Sequence, residues 1–284
     1  MQNFNRQYRF AAGPAGGEGF EVGMTTDTSP EALHISFNIE KADTETPNSA
    51  KFSLWNLNPE QLSILNEEDC VVTLRAGYGT RMPLCFVGCV SYVETELDGS
   101  DRMTSIEAVD GRIELRDSYV SQSYSGSTNT KKIIEDCAAQ MGLAVTFSYN
   151  AEFFDLANGY SFVGPAHLSL DKACASSDLQ WQIYNGVMQV KRKRDTMTRE
   201  VYVLSPDTGL LHIPKKITFG KSDGNDEGES GWEVMYFLNG AIGIGDYIRL
   251  ESKLVKGYFR IRTLAMDGDN LEGDWICTAR LIEA

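Results

Sequence analysis

Short segments in which apolar and polar residues alternate recur along the first part of the chain. Residues 34–39 alternate strictly, and residues 52–57 nearly do. Because successive side chains of a strand point to opposite faces, each segment predicts a strand with one buried face. Asn58-Pro59-Glu60 predicts a short helix ending near Leu65, with asparagine as its cap and proline at its first position. Further strands are predicted at residues 8–10, 20–22, 70–74, 84–93 and 103–109.

The middle of the chain carries the patterns of two helices and a hairpin. Residues 128–141 form an amphipathic segment that Gly142 is expected to end, and residues 168–176 predict a second helix. Asn185-Gly186 supplies the positive φ angles of a type I′ turn, which predicts a hairpin over residues 179–190. A short strand is predicted at 145–147, a connector at 119–127 and a loop at 150–166.

In the last third of the chain, short apolar runs are separated by Gly-Asp and Asp-Gly dipeptides. This spacing is typical of a compact β-barrel or sandwich. Asp267-Gly268-Asp269 is expected to be a β-turn. Strands are predicted at residues 234–238, 245–250, 257–261 and 275–279. The whole pattern predicts a mainly β protein with a small α+β insertion.

Charge and hydropathy narrow the functional classes. The 284 residues carry a net charge of −14, which argues against sequence-specific binding of nucleic acid because phosphate contacts require a cationic surface. The sequence has no apolar run of transmembrane length and no leader pattern at its start. Synthesis in a bacterial cytoplasm is therefore expected.

The six cysteines are predicted to be core residues. They fall in apolar strand or helix patterns and include no C-x-x-C pair. Cys85 and Cys89 share one face of a predicted strand but would lie about 13 Å apart, too far to bind one ion. The cysteines are Cys70, Cys85, Cys89, Cys137, Cys174 and Cys277.

Histidine and serine motifs do not predict a catalytic or metal site. His34, His167 and His212 fall in three separate segments without a ligand spacing, so no zinc or histidine-based site is expected. Ser169 and Lys172 match S-x-x-K, but a capped helix start explains the serine better. The glycines between 240 and 245 do not open a helix, so no cofactor site is predicted. A converging pair of carboxylates remains open, since no segment singles one out.

Two charged runs have structural interpretations. Residues 223–228 partly match a calcium loop, but Val234 occupies the position of the final carboxylate, so a solvated acidic loop is favoured. Residues 191–194 form a basic run that lacks interleaved aromatic residues. We expect this run to end an edge strand and to prevent unwanted pairing, or to contact an acidic neighbouring subunit. A nucleic-acid patch is the alternative.

The order of several segments resembles one protein family. Residues 37–65 (FNIEKADTETPNSAKFSLWNLNPEQLSIL), residues 83–96 (PLCFVGCVSYVETE) and the W-x-I-x-N-G-x-x-x-V hairpin at 181–190 are the segments concerned. Together with the turn-rich last third, they resemble the baseplate hub proteins of tailed phages, a late-control-protein-like family that also occurs in contractile injection particles.

The resemblance implies a structural component of a phage tail or a related particle. It implies two tail-tube-like β-domains, residues 1–120 and 201–284, flanking an α+β middle domain, residues 121–200. Three copies would form a ring at the virion baseplate, joining the tail tube to the spike or tip and lining the DNA channel. Because a channel that passes DNA should not trap phosphates, the strong negative charge predicts a lumen rich in Asp and Glu. The partners implied are tail tube or distal tail proteins, a spike or tip protein and the tape-measure protein. No cofactor, metal, catalytic residue or lytic domain is implied.

Two alternatives remain open at the level of sequence. A cell-wall carbohydrate-binding or hydrolytic β-protein would need exposed aromatic residues beside an acidic cleft. The candidates are Trp55, Trp181, Trp232 and Trp275, but each lies in a strand-like pattern that favours the core. The second alternative is another tail component, such as a distal tail protein.

Overall fold

The structure is a computed structural model that describes residues 5–14, 16–23, 32–43, 46–193, 195–220 and 229–283. Its elements up to residue 129 are β1 (Arg6–Pro14), β2 (Phe20–Gly23), β3 (Ile35–Ala42), β4 (Ser49–Trp55), α1 (Pro59–Leu65), β5 (Cys70–Tyr78), β6 (Leu84–Asp98), β7 (Asp101–Val109), α2 (Arg112–Asp117), β8 (Tyr119–Tyr124) and β9 (Thr128–Asn129). The remaining elements are α3 (Thr130–Gln140), β10 (Ala144–Phe147), β11 (Asp155–Leu156), β12 (Tyr160–Pro165), α4 (Ala166–Ala175), β13 (Leu179–Tyr184), β14 (Val187–Arg192), β15 (Val201–Leu204), β16 (Lys215–Thr218), β17 (Ser230–Phe237), β18 (Tyr247–Glu251), β19 (Lys256–Asp269) and β20 (Trp275–Glu283).

The chain divides into two compact units, one of Met1–Val109 with Glu200–Ala284 and the other of Asp110–Arg199. The first unit contains a 13-stranded sheet with the order β16-β17-β20-β19-β3-β4-β7-β6-β5-β1-β2. Off this order, β18 pairs with β19, and β15 pairs with β18. No strand pairing closes this sheet into a barrel within the described part of the chain. The mainly β fold with a small α+β insertion is confirmed.

Strand pairing between β3 and β19 joins the two sequence segments of the first unit. β3 is antiparallel to β19 over seven residue pairs, from Ala42 opposite Thr263 to Ser36 opposite Asp269. Residues that lie directly opposite each other on paired strands project from the same face of the sheet. One row of such residues crosses the β3–β19 junction and forms part of the buried core. That row is Ile106, Phe52, Phe37, Gly268 and Trp275.

The prediction of a turn at Asp267-Gly268-Asp269 was wrong. These residues are the end of β19 and pair with both β3 and β20. Gly268 lies in the inward row, and a β-carbon added there would lie 2.2 Å from the ring of Phe37. Glycine is required at this point of a strand because an aromatic side chain covers its backbone.

The local prediction for α1 is confirmed. Asn58 caps the helix, since the Gln61 N–H donates to its side chain at 2.8 Å. The Gln61 side chain in turn accepts the Asn58 N–H at 3.0 Å, which completes a capping box.

The second unit packs α3 and α4 against a three-stranded sheet, β10-β14-β13, and a ribbon of β8 and β12. The predicted hairpin is confirmed, with φ angles of 52° at Asn185 and 75° at Gly186. The buried carboxylate of Asp110 accepts the backbone N–H groups of both turn residues, at 2.6 and 3.1 Å. These contacts fix the hairpin to the first residue of the unit.

The prediction of a connector at 119–127 and a loop at 150–166 was wrong, since β8 and β12 pair over six residues. The inward face of β8 carries a polar residue, Gln122, which is buried, so hydrophobic periodicity does not mark the strand. Its amide donates to the Ile133 carbonyl at 3.0 Å and accepts the Ser169 hydroxyl at 2.7 Å. Because these hydrogen bonds satisfy the Gln122 amide, a polar side chain can occupy a buried position where an apolar one would be expected.

The prediction that Ser169 caps a helix was also wrong. α4 begins at Ala166, so Ser169 lies inside the helix and is fully buried. Besides Gln122, its hydroxyl contacts the Tyr160 hydroxyl at 2.9 Å. Ser169 therefore links α4 to both strands of the ribbon.

Replacing Ser169 with alanine should lower the free energy of unfolding of the second unit by about 1–3 kcal/mol, because buried polar groups lose a partner. Ser176→Ala is the matched control, since its hydroxyl is exposed and donates to the Lys172 carbonyl. Hydrogen exchange of α4 amides would measure both changes. Equal protection in the two variants would contradict the structural role of Ser169.

Candidate assembly surface

The outward side of the large sheet is predominantly polar from β6 to β19, and the apolar residues Ile276, Met235 and Phe237 interrupt it on β20 and β17. We define the polar face as the outward residues of β6 (92–96), β7, β4, β3, β19 (263–269), β20, β17 and β16. One registered row across it is Glu94, Ser105, Ser53, Ser36 and Asp269. A second row is Tyr92, Glu107, Lys51, Asn38 and Asp267. Both rows therefore combine small hydroxyl or amide side chains with carboxylates.

Acidic side chains outnumber basic ones on the polar face. The two central cations are paired, Lys51 with Glu107 at 2.6 Å and Arg280 with Glu233 at 3.1 Å. The remaining acids leave the face negative, although Asn38 donates to Asp267 at 2.7 Å. Carboxylates on the face are Glu40, Glu94, Glu96, Glu107, Glu233, Asp267 and Asp269, and cations are Lys51, Lys215 and Arg280.

The negative charge is confined to one unit. Residues 110–199 contain ten acidic and ten basic residues, so the net charge of −14 belongs entirely to the other unit. A groove of 370 Å³ opens on the polar face. Its lining residues include Thr263 and Thr278, the carboxylates Glu40 and Glu233, and the cations Lys41 and Arg280. A surface with this excess of carboxylates repels phosphate, and its two central cations are already paired with carboxylates.

A histidine–aspartate pair lies at one end of the polar face. His34 Nε2 is 3.0 Å from an Asp269 carboxylate oxygen, and the His34 ring stacks on Trp55 at 3.8 Å between centroids. The Trp55 indole N–H donates to Asp98 at 2.9 Å. These contacts hold the β6–β7 hairpin end beside β4 and β19. Burial raises the pKa of Asp269, but hydrogen bonds from His34 and the backbone of Glu272 and Leu271 outweigh it, so the pKa lies below its ordinary value.

His34→Phe should raise the pKa of Asp269, because the stacked ring is retained while the hydrogen bond to the carboxylate is lost. Since the folded pKa is depressed, Asp269 adds stability that is present above its unfolded pKa of about 3.9. That contribution is lost as pH falls through the folded pKa. Carboxyl carbon NMR would measure the shift. Asp136, whose pKa is held low by Tyr124 and then Lys132, is the internal control and should not move.

The residues considered for chemistry do not assemble into a reactive site. All six cysteines are buried, as predicted. Burial raises the pKa of Cys85 to about 11 and that of Cys277 to about 12, so both are thiols at neutral pH. Within the described residues, no group of three His, Cys, Asp or Glu side chains could hold a metal ion.

The basic run does not end an edge strand, so that prediction was wrong. β14 is the central strand of its sheet, between β10 and β13. Lys191 is only 1% exposed, and Arg192 pairs with Glu152 at 2.6 Å. Arg194 and the acidic loop 223–228 lie outside the described residues.

The tryptophans are not an exposed aromatic platform. Trp275 is buried, as predicted, whereas the other three are half-buried rather than core residues. The indole N–H of Trp181 donates to Asp171 at 2.8 Å, as that of Trp55 does to Asp98. The structure describes no helix with the length and apolar character needed to cross a membrane.

The model of the family described as "Baseplate hub gp41" matches residues 36–267, which is most of the chain. The chain belongs to the baseplate hub gp41 family. Membership assigns it a structural role in the phage tail baseplate and agrees with the resemblance read from the sequence. A search of curated proteins finds no match.

Solved structures of tail proteins share the fold of this hub-family chain. The 43 kDa tail protein of prophage MuSo2 from Shewanella oneidensis has 9% identity and a TM-score of 0.66, covering 98% of this chain and 97% of its own. A tail protein from Neisseria meningitidis has 12% identity and a TM-score of 0.59, with coverages of 97% and 96%. The E. coli c3393 protein, a type VI secretion system component, has 9% identity, a TM-score of 0.60 and coverages of 91% and 76%.

Proposed function

We propose that three copies of this chain form a ring at the distal end of a phage tail, with the polar face lining the DNA channel. The observation that carries this proposal is the polar face itself. It combines serine, threonine and asparagine with an excess of carboxylates. A channel of this composition lets a polyanion pass, because no cation-rich surface retains the phosphates.

The proposed ring joins the tail tube or distal tail protein to a spike or tip protein, and the tape-measure protein ends near it. The two β segments, residues 1–120 and 201–284, act in this proposal as two tube-like modules, so that three chains match a six-fold tube. The pairing of β3 with β19 joins the two modules in one sheet, which supports their acting together as one subunit of the ring. The chain acts as a structural virion component, made in the host cytoplasm, and not as an enzyme.

Electron microscopy of the concentrated protein tests the ring and its orientation. The expected result is a three-fold ring with the polar face inward. A ring with a basic lumen, or with the polar face on its outer surface, would contradict the proposal.

A DNA-retention assay tests the role of the charge. The double variant Glu40→Lys and Asp267→Lys should make the ring retain duplex DNA at low salt, and added salt should release it. Glu60→Lys with Glu67→Lys is the matched control, because both residues are exposed acids at α1, outside the polar face. Equal retention by the two double variants would show that the polar face does not line the channel.

A further inference from the structure

The polar face ends at two strands that have a free edge. β16 pairs only with β17 among the described residues. β6 extends past β5 after Cys89, so residues 91–98 have β7 as their strand neighbour on one side and no described strand on the other. Eight strands, from β16 to β6, therefore run without interruption between two open edges. An open strand edge offers unpaired backbone groups to another chain.

The two edges carry opposite charge. Lys215 and Lys216 of β16 are exposed, and neither forms an ion pair with a described residue. Glu94 and Glu96 of β6 are also exposed. The Tyr92 hydroxyl donates to Glu94 at 2.9 Å, and no described cation neutralises either carboxylate. In a chain of net charge −14, two adjacent exposed lysines on an edge strand, of which Lys215 projects from the polar face, are a distinctive feature.

The side-chain register matches as well as the charge. Lys215 lies opposite Glu233 and therefore projects from the polar face. Glu94 and Glu96 lie opposite Ser105 and Met103 and project from the same face. Edge pairing that keeps the faces aligned therefore puts Lys215 on the same side of the sheet as these carboxylates, whereas a one-residue slip would turn the lysine to the other face.

We infer that the β16 edge of one copy pairs with residues 91–98 of β6 in the next copy. This inference rests on the proposed ring and names its subunit contact. Such a contact is heterologous, because two different edges meet, and three such contacts would close the proposed ring. β16 has four residues, so each contact is short and the ring is expected to require high local concentration.

Crosslinking tests which edges meet. The chain with Lys215→Cys and Glu94→Cys, treated with a short bismaleimide, should give a covalent trimer as its largest product. The native thiols are buried and serve as an internal background in the unmodified chain. Lys253→Cys with Glu94→Cys is the matched control, since Lys253 is an exposed lysine in the β18–β19 turn. The control pair should give no trimer.

Charge reversal tests the electrostatic part of the contact. Lys215→Glu with Lys216→Glu should raise the concentration needed for ring assembly by at least about tenfold, as should Glu94→Lys with Glu96→Lys. A chain carrying all four changes should assemble again. Rings that form without a 215–94 crosslink and without sensitivity to these changes overturn the edge contact but leave the hub ring intact. Absence of both ring and crosslink overturns the proposed function as well.

Discussion

Replacing Arg260 with methionine should lower the free energy of unfolding of the sheet unit by about 3–5 kcal/mol. The Arg260 guanidinium and the Asp43 carboxylate form an ion pair whose side chains are 6% and 5% exposed. Removing the guanidinium leaves a negative charge in a site that water does not reach. Urea unfolding followed by tryptophan fluorescence would measure the loss.

Two further variants separate this effect from lost packing. Adding Asp43→Asn to Arg260→Met removes the buried charge and should recover most of the stability. Arg280→Ala is the surface control, because its pair with Glu233 has the arginine side chain 55% exposed and should cost less than about 1 kcal/mol. A loss in the Arg280 variant as large as that in the Arg260 variant would contradict the assignment.

Gly268→Ala should destabilise the same unit by about 1–3 kcal/mol through overpacking. The added β-carbon would lie 2.2 Å from the Phe37 ring, and that ring also contacts Trp275 edge-on at 5.3 Å between centroids. Movement of Phe37 would therefore disturb the buried row that joins β3, β19 and β20. Thermal or urea unfolding would measure the change.

A glycine outside the core is the control for Gly268. Gly220→Ala adds a β-carbon that has no described atom within 4 Å, and it should be neutral or slightly stabilising. Phe37→Leu combined with Gly268→Ala should recover part of the loss, because the smaller side chain frees space for the β-carbon. If Gly268→Ala is as harmless as Gly220→Ala, the close contact with Phe37 does not constrain the fold.

Local signals made several elements predictable from sequence. The α1 cap depends on Asn58 and Gln61, which are three residues apart, and the type I′ turn depends on two adjacent residues, Asn185 and Gly186. The strands β8 and β12 were not predictable, because the buried Gln122 is satisfied by Ser169, which is 47 residues away. A sequence pattern assigns such polar residues to a loop, because it does not reveal the distant partners that allow them to be buried in a strand.

The polar face was only partly readable from the sequence. Alternation within residues 34–39 and 52–57 showed that each strand has a polar side. It could not show that Ser36, Ser53 and Ser105 lie in one row, because strand order and register are set by pairing between distant segments. The free edges of β6 and β16 could not be predicted from the sequence for the same reason.

The sequence by itself determined the mainly β class, the α+β insertion, the buried cysteines, the acidic character and the resemblance to baseplate hubs. These properties depend on composition and on patterns within a few residues, where side-chain periodicity and backbone preferences act. Only the tertiary structure decided that β3 and β19 join the two β segments, that Gly268 lies in a strand under Phe37, and that carboxylates from several strands share one face. Those outcomes depend on contacts between residues far apart in the chain, which become neighbours only when the sheet has formed.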